Sequence, residues 1–237
     1  MTIDIAFLYI YSYLLGAVPT AYIIARLVKG IDIRKYGSGT VGGTNLWYHV
    51  GKKWVVPLGI FEILGKGASP MWVGHYVLDL ERSSFWLMGA GLVAIAAHNW
   101  SVFLGFKGGR GIAVVIGVLF GLGPWDPAIG SWEFVLFVGV ALAGWLRFRA
   151  SAVWVLVSLA LLPVWATLLG EPLAIRLLMV GILVLVIAKR LEANFHPVAP
   201  GLSKRRLFLN RLLLDRDVSS HQEWVLRMPG QVKTPRG

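Results

Sequence analysis

Two segments of the chain bring glycine, hydroxyl and cationic residues together as no other part of it does. The first runs Ile31-Asp32-Ile33-Arg34-Lys35-Tyr36-Gly37-Ser38-Gly39-Thr40-Val41-Gly42-Gly43-Thr44-Asn45, with four glycines inside seven residues. Glycines let successive backbone N–H groups turn toward one point and form a concave anion site. Ser38, Thr40, Thr44 and Asn45 can add side-chain donors, and a helix opening at Leu46 would aim its N-terminus at the same anion. The second segment runs from Ala97-His98-Asn99 through Gly105-Phe106-Lys107-Gly108-Gly109-Arg110-Gly111-Ile112. Here Lys107 offers a point charge and Arg110 a planar fork for phosphate oxygens. Gly108, Gly109 and Gly111 would expose backbone donors and leave room for a ligand. Two such sites suggest a substrate with two phosphates, or two phosphorylated substrates.

Other chemistries are excluded or weakly supported. The chain has no cysteine, which removes disulfides, thiolate metal sites and thiol nucleophiles. Its five histidines, His49, His75, His98, His196 and His221, are scattered without ligand-pair spacing, so no metal is expected. Gly37 to Gly42 spells G-x-G-x-x-G, and Glu62 follows at the distance of a ribose-binding acid. The dinucleotide fingerprint, however, requires a strand before it and a βαβ unit around it. No Ser-His-Asp set or carboxylate pair stands out. The chemistry should therefore use an already activated donor, with the protein supplying position and charge stabilisation. His98 can be a helix-bonding polar residue or a substrate contact. Glu62 and Lys66 lie four apart on one helix face and can pair.

The elements that must position these loops lie in a bilayer. Apolar residues are 57% of the chain and charged residues 15%, with a mean hydropathy of +0.68. An ordinary soluble domain carries about 25% charge. Runs long enough for membrane helices cover about Ile5 to Val28, Trp54 to Leu78, Ser84 to Leu104, Ile112 to Leu122, Trp132 to Leu146, Ser151 to Leu169 and Leu173 to Ala188. The expected fold is an all-α polytopic membrane bundle of about seven spans. Most of the 23 Lys+Arg residues fall on one side of that arrangement: Lys29, Arg34, Lys35, Lys52 and Lys53, then Lys107 and Arg110, then Arg147 and Arg149, then the tail. The positive-inside rule puts the N-terminus outside and the C-terminus in the cytosol. Two regions follow: a membrane domain over 1–190 and a basic cytosolic tail over 191–237. Lys204 to Arg216, with leucines among arginines, reads as a helix on an anionic leaflet or as an orientation signal. The net charge of +11 is assigned to topology and not to nucleic acid.

The motifs resemble a known family. Leu15-Gly16-Ala17-Val18-Pro19, with Asp32-Ile33-Arg34-Lys35, Gly37-Ser38-Gly39 and Thr44-Asn45, is similar to the first motif of the bacterial acyl-phosphate:glycerol-3-phosphate acyltransferases (PlsY type). His98 with Val102 through Ala113 resembles the second. The likeness covers about residues 12–195. It implies a seven-span enzyme of the cell membrane with its motifs facing the cytosol and no cofactor. It also implies transfer of a fatty acyl group from acyl phosphate to the 1-hydroxyl of glycerol 3-phosphate, giving lysophosphatidic acid in phospholipid synthesis. By this resemblance Ser38, His98 and Lys107 are the catalytic candidates. Gly37, Gly39, Gly42, Thr44, Asn45, Gly108, Gly109, Arg110, Gly111 and Asn194 bind substrate or phosphate. Tyr48 stands where the family has an arginine. The third motif is reduced to Lys189-Arg190-Leu191-Glu192-Ala193-Asn194, without its histidine. The alternative is a divergent or inactive protein that binds another phosphorylated substrate. A transporter of organic phosphates is a third reading.

Overall fold

The structure, a computed structural model, describes residues 2–123, 131–192, 203–218 and 220–229. Asn194 and His196 lie outside the described residues. All regular structure in them is helical. Helices α1 (Thr2–Ala17) and α2 (Thr20–Lys29) come from one apolar run, broken where Pro19 cannot donate and disfavours helix at Val18. A carbonyl left open at the break, Ala17 O, accepts from Ser101 Oγ at 2.5 Å. α3 (Gly43–His49) follows the first glycine loop.

Residues 55–77 form one helical run, α4, with π-helical stretches at Phe61–Ala68 and Val73–Val77. Pro70 gives no N–H to Lys66 O, and wide turns of this kind accommodate such gaps. Both Glu62 and Lys66 sit in the first wide stretch. The remaining apolar runs become α5 (Phe85–Asn99), α6 (Ile112–Gly121), α7 (Ser131–Phe148), α8 (Ser151–Leu168) and α9 (Leu173–Leu191). Three stretches are long and apolar enough by length and composition to cross a membrane: Thr2–Lys29, Phe85–Leu104 and Ser151–Leu168. The C-terminal segment holds α10 (residues 204–214, turning π-helical at Asn210) and the short α11 (His221–Val225).

The bundle is greasy outside as well as inside. Ile3, Leu27, Val56, Val77, Phe85 and Leu168 are exposed, as a lipid-facing surface requires. Its main core joins Met71, Ile95, Val114, Leu119, Leu178 and Ile182 from four helices. Close helix contacts use small residues, the usual membrane device. At Gly117 a Cβ would lie 2.0 Å from Ile63 O, so α6 lies directly on the wide stretch of α4. A second cluster, with Ala21, Ile33, Val41, Leu46 and Leu104, pegs the first glycine loop to α2 and to the turn after α5.

Candidate active site

The first loop is built around one side chain. Asn45 Nδ2 donates to the carbonyls of Ile33, Tyr36 and Thr40 at 2.9, 3.0 and 3.0 Å. Two hydrogens serve three acceptors, which draws residues 33–40 into a tight coil. Asn45 is buried, so it organises the loop from inside. Gly37 (φ +48°) and Gly39 (φ +68°) take the left-handed turns that the coil needs. Their N–H groups donate to Arg227 O and Tyr36 O, both at 2.9 Å. Ahead of the coil, Asp32 accepts from Arg34 N and takes a two-pronged bond from its guanidinium at 2.9 and 2.8 Å. The hydrogen bonds from Arg34 hold the Asp32 carboxyl below the ordinary carboxylate range.

The second loop packs back onto the end of α5. Gly108 N–H and Gly109 N–H donate to Asn99 O and His98 O, each at 3.1 Å. A Cβ on Gly108 would meet His98 O at 2.0 Å, and one on Gly109 would meet His98 Nε2 at 2.3 Å. Gly111 turns left-handed (φ +74°) against the Asn99 side chain. The sequence reading expected open N–H donors at Gly37, Gly39, Gly108 and Gly109. These four are engaged within the protein instead: Gly37 bonds the C-terminal segment, Gly39 closes its own loop on Tyr36, and Gly108 and Gly109 bond the end of α5.

Behind the loops stands a buried polar triad. Lys66 Nζ is 3.4 Å from Glu62 Oε1 and 3.4 Å from His98 Nδ1, and His98 Nδ1 is 3.7 Å from Glu62 Oε1. An ammonium only donates, so Nδ1 accepts and the imidazole proton sits on Nε2. That makes His98 a donor on the side facing Gly109.

A cavity of about 630 Å³ opens between the loops and the helix ends. Its walls include Gly42, Thr44, His98, Arg110 and Gly111 of the sequence-predicted residues. Thr40 lines it too, and Ser38 stands one hydrogen bond behind, its hydroxyl 2.7 Å from that of Thr40. Lys107 is exposed and outside the lining. The resemblance makes it a catalytic candidate, but it follows the left-handed residues Gly105 and Phe106 at an exposed turn. Asn45, Gly37 and Gly39 shape the loop without reaching the cavity wall. A water-sized hole behind His98, lined by Lys66 and Gly109, adjoins the triad.

Three arginines that sequence reasoning had counted as orientation or motif remnants also line the cavity: Arg149, Arg190 and Arg216. Arg190 is buried and donates to Leu212 O at 3.0 Å and Ala152 O at 2.9 Å. Arg110 Nη1 donates to Lys189 O at 2.5 Å, and its Nε lies 3.0 Å from Asp215 Oδ1. Burial pushes the Asp215 carboxyl above its ordinary range, while Arg110 and Arg190 pull it down less strongly. The partly buried Arg110–Asp215 pair joins the second glycine loop to the C-terminal segment. Arg190 and the run of leucines and arginines after Lys204 are visible in the sequence, but nothing local says that Arg190, Leu214 and Arg216 turn toward one cavity. Among the described residues no three His, Asp or Glu side chains gather as a metal-ligand set. The arrangement can hold phosphoryl groups among guanidiniums, hydroxyls and the His98 ring, with Ile112 and Val153 as apolar lining.

Residues 6–199 match the family described as glycerol-3-phosphate acyltransferase. The chain is 36% identical over 222 residues to "Glycerol-3-phosphate acyltransferase 5" of Dehalococcoides mccartyi, covering 91% of this chain and 90% of that one. It is 37% identical over 146 residues to the glycerol-3-phosphate acyltransferase of Aquifex aeolicus, covering 62% of this chain and 71% of that one. Among solved structures it resembles PlsY (YgiH), an integral membrane glycerol 3-phosphate acyltransferase, in its glycerol 3-phosphate form. There the TM-score is 0.67 at 30% identity, over 78% of this chain and 88% of that one. The lysophosphatidic acid form of the same protein matches with a TM-score of 0.65 at 30% identity, over 78% and 87%.

Proposed function

The chain belongs to this glycerol-3-phosphate acyltransferase family, and from that premise we propose that it makes lysophosphatidic acid, an early step of phospholipid synthesis, by acylating glycerol 3-phosphate from acyl phosphate. The observation that carries the reading is the single cavity in which Thr44 of the first motif and His98, Arg110 and Gly111 of the second meet. Acyl phosphate is a mixed anhydride with a good leaving group. A hydroxyl of glycerol 3-phosphate attacks its carbonyl carbon, the carbon–oxygen bond to phosphate breaks, and phosphate leaves with that electron pair. The hydroxyl proton passes to a phosphate oxygen, so no covalent enzyme intermediate is needed.

In this reading Arg110 and the His98 Nε2–H neutralise phosphoryl or carbonyl oxygens as charge develops. Thr44 and Thr40 orient the acceptor, and Ser38 fixes the Thr40 hydroxyl. Lys107, exposed beside the second loop, draws anions toward the mouth. The acyl chain leaves between helices toward lipid. Asn194 of the third motif is assigned to phosphate by resemblance.

The same reading takes about seven spans, with the N-terminus outside and the loops, the C-terminus and the active site on the cytosolic side of the cell membrane. It treats 1–190 as the membrane domain and 191–237 as the basic cytosolic segment. The one-sided run of Lys and Arg supports that orientation. The test is to incubate the purified protein with acyl phosphate and labelled glycerol 3-phosphate. Labelled lysophosphatidate is expected from the wild type and at least about a hundredfold less from Arg110→Ala. A wild type that forms none sinks the proposal.

A further inference from the structure

The family match ends at residue 199, yet the chain continues and folds back over the cavity. Two latches hold this segment. At one end Asp215, left-handed at φ 56°, caps α10 and meets Arg110 at 3.0 Å. Nearby, Arg211 bonds Asp217 at 2.7 Å and Leu191 O at 3.0 Å. At the other end Arg227 O accepts from Gly37 N–H, and His49 Nε2–H donates to Val225 O at 2.8 Å. Val218 and Val225 of the segment are buried. His221 sits edge-on to Tyr48 with ring centres 6.4 Å apart. A surface-lying membrane helix needs none of these ties to the glycine loops.

Between the latches, Arg216, His221 and Trp224 line the same cavity as Thr44 and Arg110. The Arg216 Nε–H donates to Val218 O at 3.0 Å, which fixes the plane of the guanidinium at the wall. We propose that residues 203–218 and 220–229 are a wall of the active site, in which Arg216 binds the phosphate group of one substrate and sets the affinity for it. The ligand chemistry is a phosphate monoester or acyl phosphate, matched by a planar guanidinium that can bond two oxygens at once. This inference rests on the acyltransferase reading.

The test compares wild type with Arg216→Ala, Arg216→Lys and, as a control, Arg205→Ala, an exposed cation of the same segment outside the lining. KM and kcat are measured separately with acyl phosphate varied and with glycerol 3-phosphate varied. Binding of glycerol 3-phosphate and of inorganic phosphate is followed by calorimetry without turnover. Arg216→Ala is expected to raise KM for one substrate about tenfold or more with kcat within about threefold. Arg216→Lys should recover part of the loss, and Arg205→Ala should match wild type. The substrate whose KM moves identifies which phosphate Arg216 holds. An active wild type with an unchanged Arg216→Ala overturns the wall proposal and leaves the acyltransferase reading standing. A wild type that binds phosphate esters but turns nothing over sinks the reaction, while an Arg216-dependent binding constant would still support the wall. A wild type that does neither overturns both.

Discussion

Lys66 holds its ammonium nitrogen 3.4 Å from Nδ1 of His98, across the packing of α4 on α5. A charged Lys66 donating to Nδ1 leaves the His98 N–H on Nε2, toward the second glycine loop. The ring is then a donor and not a base. His98→Ala should lower kcat by about 10² to 10³, as loss of a charge-stabilising donor does. His98→Gln, which keeps an N–H at a similar reach, should retain more. Lys66→Met should cost activity through the same ring, without any contact of its own to substrate. Steady-state kinetics of the three variants check this, and equal rates for His98→Ala and wild type would rule the role out.

Asn45 was read from sequence as a phosphate ligand and is found binding three carbonyls of its own loop. Asn45→Ala strands those carbonyls, at about 1–3 kcal/mol for each one left buried without a partner. Asn45→Asp should do worse, because a carboxylate cannot donate to them. Thermal unfolding in detergent should show both variants well below wild type. A variant with wild-type stability and only a raised KM would restore the ligand role.

Gly117 lies against the backbone of α4, where an added Cβ would be 2.0 Å from Ile63 O. Gly117→Ala forces the two helices apart, and overpacking of this kind costs about 1–3 kcal/mol. The wide stretch of α4 that carries Glu62 and Lys66 moves with it. The melting temperature should fall and kcat with it, although the substitution lies outside the cavity lining. Gly139→Ala, with open space at its Cβ, is the matching control and should change neither.

The Asp32–Arg34 pair makes the first loop sensitive to acid. Arg34 lowers the carboxyl pKa in the folded state relative to its ordinary value of 3.8. The contribution to stability is therefore present in full above that value and is lost as pH falls through the lower folded pKa. Asp32→Asn should be less stable than wild type by up to about 1 kcal/mol between pH 5 and 8, the scale of a partly exposed pair. Below about pH 3.8 the two proteins should converge. A gap that stays constant into strong acid would show that the pair does not act through charge.

Much of this fold is legible in the chain. Each of the seven apolar runs is mainly helical, the conformation in which a greasy segment bonds its own backbone. The glycine turns at 37, 39 and 111 follow from residue type, whereas the break at Pro19 divides what reads in the sequence as one run from Ile5 to Val28. The site was only half legible. His98, Thr44 and Arg110 reach the cavity as their setting suggests. Ser38 and Asn45 differ because a hydroxyl or amide in a glycine loop can face outward or bind its own backbone, and sequence does not say which. Arg149, Arg190 and Arg216 carried charge that satisfied the topology rule, and that explanation hid their second position at the cavity wall. The latch between Arg110 and Asp215 joins residues far apart in the chain, and such pairs leave no periodic trace.

The fold-back of residues 203–218 and 220–229 also orders events in time. Those residues leave the ribosome after every helix they cover, so a nascent chain already threaded into its bilayer has both glycine hairpins but an open-sided compartment. On the wall proposal, the compartment is complete only once residues 203–218 and 220–229 have folded back over it. A bulky fusion joined behind them would have to travel with them.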